Sequence, residues 1–155
     1  MTSDERLLTE LACARLMHQY ARYVDGGNAS RIAELFTDDG KWIGADGGTM
    51  DGKAEILRAF TGRQGLTRRQ SRHVITNQLV DVVDDDNATG IAYLINYRHD
   101  SKTGVAEHPA PGETPKFVGD YHLEYKRVDG EWKIHNLRFD LVFLRRREVW
   151  PGSAL

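Results

Sequence analysis

Residues 119–134 read GDYHLEYKRVDGEWKI, and this stretch decides the fold. A strand running from Phe117 to Val128 meets Asp129-Gly130, a dipeptide that takes the positive-φ backbone of a two-residue hairpin without strain. A last strand follows, from Trp132 to about Leu144. Upstream, residues Ser71 to Val83 are rich in β-branched side chains, and Asp84-Asp85-Asp86-Asn87 turns the chain back into Ala88 to His99. A proline-containing loop, Asp100 to Thr114, links the two pairs. Four long antiparallel strands therefore fill the second half, from about residue 70 to 146.

The first half has the helical period. Ser3-Asp4-Glu5 is an acidic helix start, followed by Leu7, Leu8, Leu11, Ala14, Leu16, Ala21 and Val24. Gly26-Gly27 stops that helix, because glycine accepts the left-handed cap. Asn28 or Ser30 caps a short second helix bearing Ile32, Ala33, Leu35 and Phe36, and Asp38-Asp39-Gly40 turns into a strand at Lys41-Trp42-Ile43. The glycine-rich stretch Gly44 to Gly52 holds a second short strand, and Lys53 to Thr61 is a third helix. Helices at about 4–61 ahead of a strand meander make an α+β layout with one domain over residues 1–155 and a tail at 147–155.

Alternation along the last strand places Trp132, Ile134, Asn136, Arg138, Asp140 and Val142 on one face. Leu137, Phe139, Leu141 and Phe143 fall on the other. The polar residues of the first face predict a partly polar cavity there. The apolar second face predicts a cover, and a second copy of the chain is the simplest one, giving a homo-oligomer, dimer or trimer, through the outer sheet face.

Composition narrows the function classes. A 155-residue chain with 40% hydrophobic and 28% charged residues is ordinary for a globular domain with its own core. Its net charge of −2 gives no reason to expect nucleic acid or an anionic membrane as partner. The clusters Arg68, Arg69, Arg72 and Arg145, Arg146, Arg147 read as solvated or interface faces. Cys13, the single cysteine, excludes an internal disulfide and reads as a small buried hydrophobe. With neither a signal layout nor a membrane-length apolar run, the expectation is a cytoplasmic protein.

The order of helix, short helix, "ELFTDDGKW" (residues 34–42), glycine-rich hairpin, helix, four long strands and the 119–134 motif resembles the SnoaL-like branch of the nuclear-transport-factor-2-like superfamily. The resemblance spans roughly Thr9 to Arg145. It implies a curved mixed sheet wrapped on the N-terminal helices as a cone with one pocket. Tyr20, Asp25 and His73 are placed like the active-site residues of three enzymes on this fold: scytalone dehydratase, bile-acid 7α-dehydratase and hexachlorocyclohexane dehydrochlorinase. The dehydrochlorinase has a lysine where this chain has Tyr20, and the bile-acid enzyme an aspartate where it has Asn96. Trp42 resembles a pocket tryptophan of the dehydrochlorinase, and Arg138 falls near a cavity arginine of the group.

On the residues themselves, Tyr20 and Asp25 lie about 140° apart around their helix, so they share a cavity only if the helix end tips into it. A carboxylate at a helix C-terminus opposes the helix dipole and needs a local reason to be there. His73 opens the strand SRHVITN on the face of Ile75 and Asn77. Asp25 would fix its tautomer while the other ring nitrogen acts as general base. Tyr20, Asn96 and Arg138 would donate hydrogen bonds where negative charge grows. Trp42, Asn77, Leu94 and Phe60 complete the expected substrate-binding set, although each of them also reads as ordinary core.

The remaining histidines show no metal-ligand spacing. There is no dinucleotide glycine fingerprint, P-loop or G-x-S-x-G nucleophile, so no metal and no cofactor are expected. The leading expectation is a cofactor-free lyase, dehydratase-like, acting on a hydrophobic ring-containing or polyketide-like molecule. An isomerase or cyclase using the same dyad, and a non-catalytic ligand-binding or oxygenase-small-subunit-like module, are the alternatives. The loop from Gly104 to Pro115 and the tail Val149-Trp150-Pro151 are candidate covers for the cavity.

Overall fold

The computed structural model describes residues 1–145; Arg146, Arg147 and the Val149-Trp150-Pro151 tail lie outside the described residues. Helix α1 (Ser3–Asp25) starts at a capping box in which Thr2 Oγ1 accepts from the Glu5 N–H and the Glu5 carboxylate accepts from the Thr2 N–H. It stops at Gly26, whose N–H bonds the Arg22 carbonyl, and Gly27 takes φ +80°. A 3-10 helix (Ala29–Leu35) leads into β1 (Phe36–Ile43), β2 (Thr49–Asp51) and α2 (Lys53–Gln64). The meander follows as β3 (Arg69–Val82), β4 (Asn87–Asp100), β5 (Phe117–Val128) and β6 (Glu131–Leu144).

The six strands form one open mixed sheet in the order β2-β1-β6-β5-β4-β3. β1 runs parallel to β6, and the other pairs are antiparallel. The helices lie on its inner face, and the core fills the space between, from Cys13, Met17, Ile32 and Ile56 to Leu94, Tyr125, Ile134 and Leu137. Among the described residues no helix is long and apolar enough to cross a membrane.

Two details differ from the pattern of the sequence. The buried stripe of α1 is Thr9, Cys13, Leu16, Met17, Tyr20 and Val24, while Leu7, Leu8 and Leu11 are exposed. Along β6, Tyr125 pairs with Ile134 and Glu124 with Asn136, so His135 is an extra residue. A second irregularity skips Val142. One inserted residue reverses every side chain beyond it. Ile134, Leu137 and Phe139 consequently all point inward, and Asn136, Arg138 and Asp140 occupy the outer face. The polar face expected to line a cavity is the outer one, and Leu137 and Phe139 are core. The apolar groups actually exposed on the sheet include Val74, Tyr93, Tyr97, Val142 and Phe143.

Gly119 sits beside the second irregularity, opposite Leu141. A Cβ there would lie 2.2 Å from the Asp140 carbonyl oxygen and 2.6 Å from the Phe139 ring. Backbone cannot yield as a flexible side chain can. Gly119→Ala is expected to destabilise the fold by about 1–3 kcal/mol, read as a lower urea midpoint at unchanged slope.

Candidate active site

The end of α1 meets the free edge of the sheet. β3 is the terminal strand, so alternate backbone N–H groups on it have no partner strand. The N–H of His73 is taken by Asp25 Oδ2 at 2.7 Å, and the ring Nδ1 of the same histidine lies 2.8 Å from Asp25 Oδ1. Ser71, two residues back on the same face, donates its hydroxyl to Asp25 Oδ1 at 2.7 Å. These three donors are the local reason for an acid at a helix C-terminus. Both members of the pair are close to buried, their side chains 12% (His73) and 11% (Asp25) exposed. Burial pushes the Asp25 carboxyl up, but the His73 hydrogen bond and charge, its backbone N–H and the Ser71 hydroxyl outweigh this and hold it below the usual range.

A carboxylate only accepts, so His73 Nδ1 carries a proton, and in the neutral ring Nε2 keeps a lone pair. His73 pairs across the strands with Asn96 of β4, and the Asn96 Nδ2 lies 3.2 Å from Nε2. The amide must therefore present its N–H₂ to the ring. Its Oδ1, buried and without a partner, is left over in the same lining.

His73 and Asn96 line a cavity of about 270 Å³, near the lower end for small-molecule sites. Tyr20, Trp42, Phe60 and Leu94 line it too, as expected from the sequence. The Trp42 indole N–H donates to the Tyr20 hydroxyl at 3.1 Å, and the Tyr20 and Tyr121 rings meet edge-on with centres 6.0 Å apart. The Tyr20 oxygen accepts the indole hydrogen, which leaves its own O–H to be donated to a bound molecule. Burial pushes the Tyr20 phenol up to about 12, so that hydrogen is held and donated rather than lost. Phe60 packs edge-on against Tyr20 with ring centres 5.8 Å apart, which fixes the phenol's tilt.

Two expected site residues are elsewhere. Arg138 is on the outer face, half exposed and paired with Asp140 at 2.9 Å; the bulge at His135 put it there. Asn77 sits at a bulge in β3 with φ +51°, is exposed, and accepts from the Thr76 hydroxyl. Alternation cannot be carried across a bulge, which is why it does not share the face of His73. The loop from Gly104 to Pro115 packs at the β3–β4 end, with Ala106 N–H on the Thr67 carbonyl and His108 against Gln70. It contributes nothing to the cavity lining.

Sequence reasoning missed Tyr121, Ser71 and a set of cationic residues, Arg63, Arg69, Arg98 and Lys116, that border the cavity. Tyr121 and Ser71 carry a signal in hindsight, each an even number of strand residues from an inward-facing neighbour. Cys13 is fully buried in the core, and burial pushes its thiol up to about 12.

The model of the SnoaL-like domain family matches residues 5–138. The chain belongs to that family. No curated protein matches its sequence. Among solved structures this SnoaL-like domain is similar to a candidate scytalone dehydratase from Novosphingobium aromaticivorans, with TM-score 0.80, 19% identity and 96% and 94% of the two chains covered. It is also similar to hexachlorocyclohexane dehydrochlorinase LinA-type3 from Novosphingobium barchaimii (TM-score 0.75, 21% identity, 93% of each chain). A third is a Mycobacterium tuberculosis protein of unknown function, with TM-score 0.76, 23% identity and 93% and 78% covered. At such identities the likeness shows the shared α+β, cystatin-like fold of this SnoaL-like domain.

Proposed function

We propose that this SnoaL-like domain is a cofactor-free lyase that removes water from a ring-containing small molecule, with His73 as general base. The observation that carries this is the Asp25–His73 pair, with the acceptor nitrogen Nε2 on the cavity side and the carboxylate behind it. The similarity to dehydratase and dehydrochlorinase structures supports the reaction type.

In the proposed step, Asn96 releases its hydrogen bond to Nε2 as the substrate enters, Nε2 takes a proton from a carbon made acidic by a neighbouring carbonyl, and Asp25 stabilises the imidazolium. The C–H electrons are held first as an enolate, which can take back a proton that His73 has exchanged with solvent, and then become the new C=C bond as the C–O bond on the next carbon breaks. The departing oxygen receives the proton from the imidazolium and leaves as water, which restores neutral His73. The Tyr20 O–H, its oxygen held by the Trp42 indole, stabilises charge growing on the carbonyl oxygen. The unpartnered Asn96 Oδ1 accepts from the hydroxyl that departs. Isomerisation starts with the same proton removal and differs only in where the proton returns.

A panel of one- and two-ring β-hydroxy ketones incubated in D2O tests the proposal. The expected results are loss of one water by mass spectrometry and deuterium uptake at the activated carbon. Uptake with mass otherwise conserved would favour the isomerase. Absence of both across the panel would overturn proton-abstraction chemistry on these compounds.

A further inference from the structure

The charge on the cavity wall is not used by the elimination chemistry. Arg63 from the last turn of α2, Arg69 from β3, Arg98 from β4 and Lys116 before β5 all border the space that holds His73. Among the described residues, two carboxylates stand beside the three arginines. Asp100 accepts from Arg69 Nε at 2.7 Å and pairs with Arg98. Burial raises its carboxyl, yet the bonds and charges of the two guanidinium groups pull it well below the ordinary range. Asp25 is already filled by His73 and Ser71.

Arg63 has no carboxylate within ion-pair distance among the described residues. Its Nη2 donates to Ser71 Oγ at 3.0 Å, and Ser71 passes its own hydrogen to Asp25. Burial, with Arg69 and Arg98 close by, makes its charged form more costly than usual, and the charges of Asp25 and Asp100 offset this only in part. A half-buried guanidinium has five donors in a planar fork that matches a carboxylate. Asp25 reaches it only through Ser71, and Asp100 is held by Arg69 and Arg98, so a ligand carboxylate would be its first direct counter-charge.

We infer that the cavity takes a substrate whose apolar body carries a carboxylate, and that Arg63 is the residue that binds it. Arg69, Arg98 and Lys116 add positive potential on the same wall, while Trp42, Phe60, Met50 and Phe139 receive the ring. Position follows from the strand. Ser71, on which Arg63 rests, is two residues from His73 on one face of β3, about 7 Å along the strand. The carboxylate is therefore several bonds from the carbon that loses its proton, beyond the ring or on a short side chain, and is not the group that acidifies it. This assignment of orientation rests on His73 as the base; the anion site itself does not.

The test is calorimetric titration with 3-phenylpropanoate and its uncharged amide, 3-phenylpropanamide, so that no turnover is needed. The wild-type protein is expected to bind the acid at least about tenfold more tightly at low salt. Added salt should narrow the gap. Arg63→Gln should bring the two affinities within about twofold by weakening the acid alone, and Arg63→Lys, which keeps the charge and loses the fork, should fall between. Circular dichroism checks that each variant is folded. Equal affinity of acid and amide for the wild type would overturn the inference, as would absence of binding by the acid up to its solubility limit. So would an undiminished preference in folded Arg63→Gln or, should that variant not fold, in Arg63→Lys. A failed elimination panel beside a clear acid preference would remove the lyase and leave the anion site. The opposite pair of outcomes would do the reverse.

Discussion

His73→Ala is expected to lower turnover of an accepted substrate by about 10²–10⁴-fold while the protein stays folded. The imidazole provides the only acceptor nitrogen that faces the cavity from the Asp25 pair, so no neighbour can take over proton removal. The ring is not part of the main core: it packs at the sheet edge, and its backbone N–H keeps its bond to Asp25 whatever the side chain. A loss confined to KM would show that His73 binds rather than reacts. Deuterium uptake at the activated carbon should vanish in parallel with product formation. Persistence of uptake in His73→Ala would move the base elsewhere.

Asp25→Asn is the second large effect, expected on the order of 10³-fold or more in turnover. Asparagine is the same size but offers one acceptor oxygen and an N–H₂, whereas the site presents three donors: the His73 N–H, the Ser71 hydroxyl and Nδ1–H. Either a donor goes unpaired or the imidazole changes tautomer and brings Nε2–H to the cavity. Long-range proton–nitrogen spectra can observe this without a substrate: Nδ1 protonated in the wild type, and a different pattern in the variant. The substitution also has a pH signature. The native Asp25 carboxyl lies below its ordinary value, so its contribution to stability is fully present above the unfolded pKa, about 4, and is lost as pH falls through the native one. Urea titrations should show the wild type more stable than Asp25→Asn at neutral pH, with the gap closing below about pH 4. A gap independent of pH would mean that the carboxylate's charge is not what holds this corner together.

The Asp25–His73 pair was legible before the structure chiefly through the resemblance to the SnoaL-like family, with residue type adding to it. A histidine in a β-branched strand and an acid beside a Gly-Gly helix stop are unusual enough to be noticed separately. Their meeting depends on α1 being long enough to reach the edge of β3. Arg138 and Asn77 show the limit. Both were placed by strict alternation, and both lie next to or beyond a bulge that reverses it. The cationic wall was invisible for a different reason. Arg63, Arg69 and Arg98 come from α2, β3 and β4, and Arg69 belonged to a run that read as solvated surface.

What the sequence determined by itself is local. The hairpin at Asp129-Gly130, where φ is +51° and +82°, follows from dipeptide backbone preference. The stop of α1 at Gly26-Gly27 follows from glycine's backbone freedom in the same way. What only the tertiary structure decided is which faces look inward and which charges share a wall. Those depend on where paired strands slip by one residue, and the slip is a property of two strands and the helix above them, not of either alone.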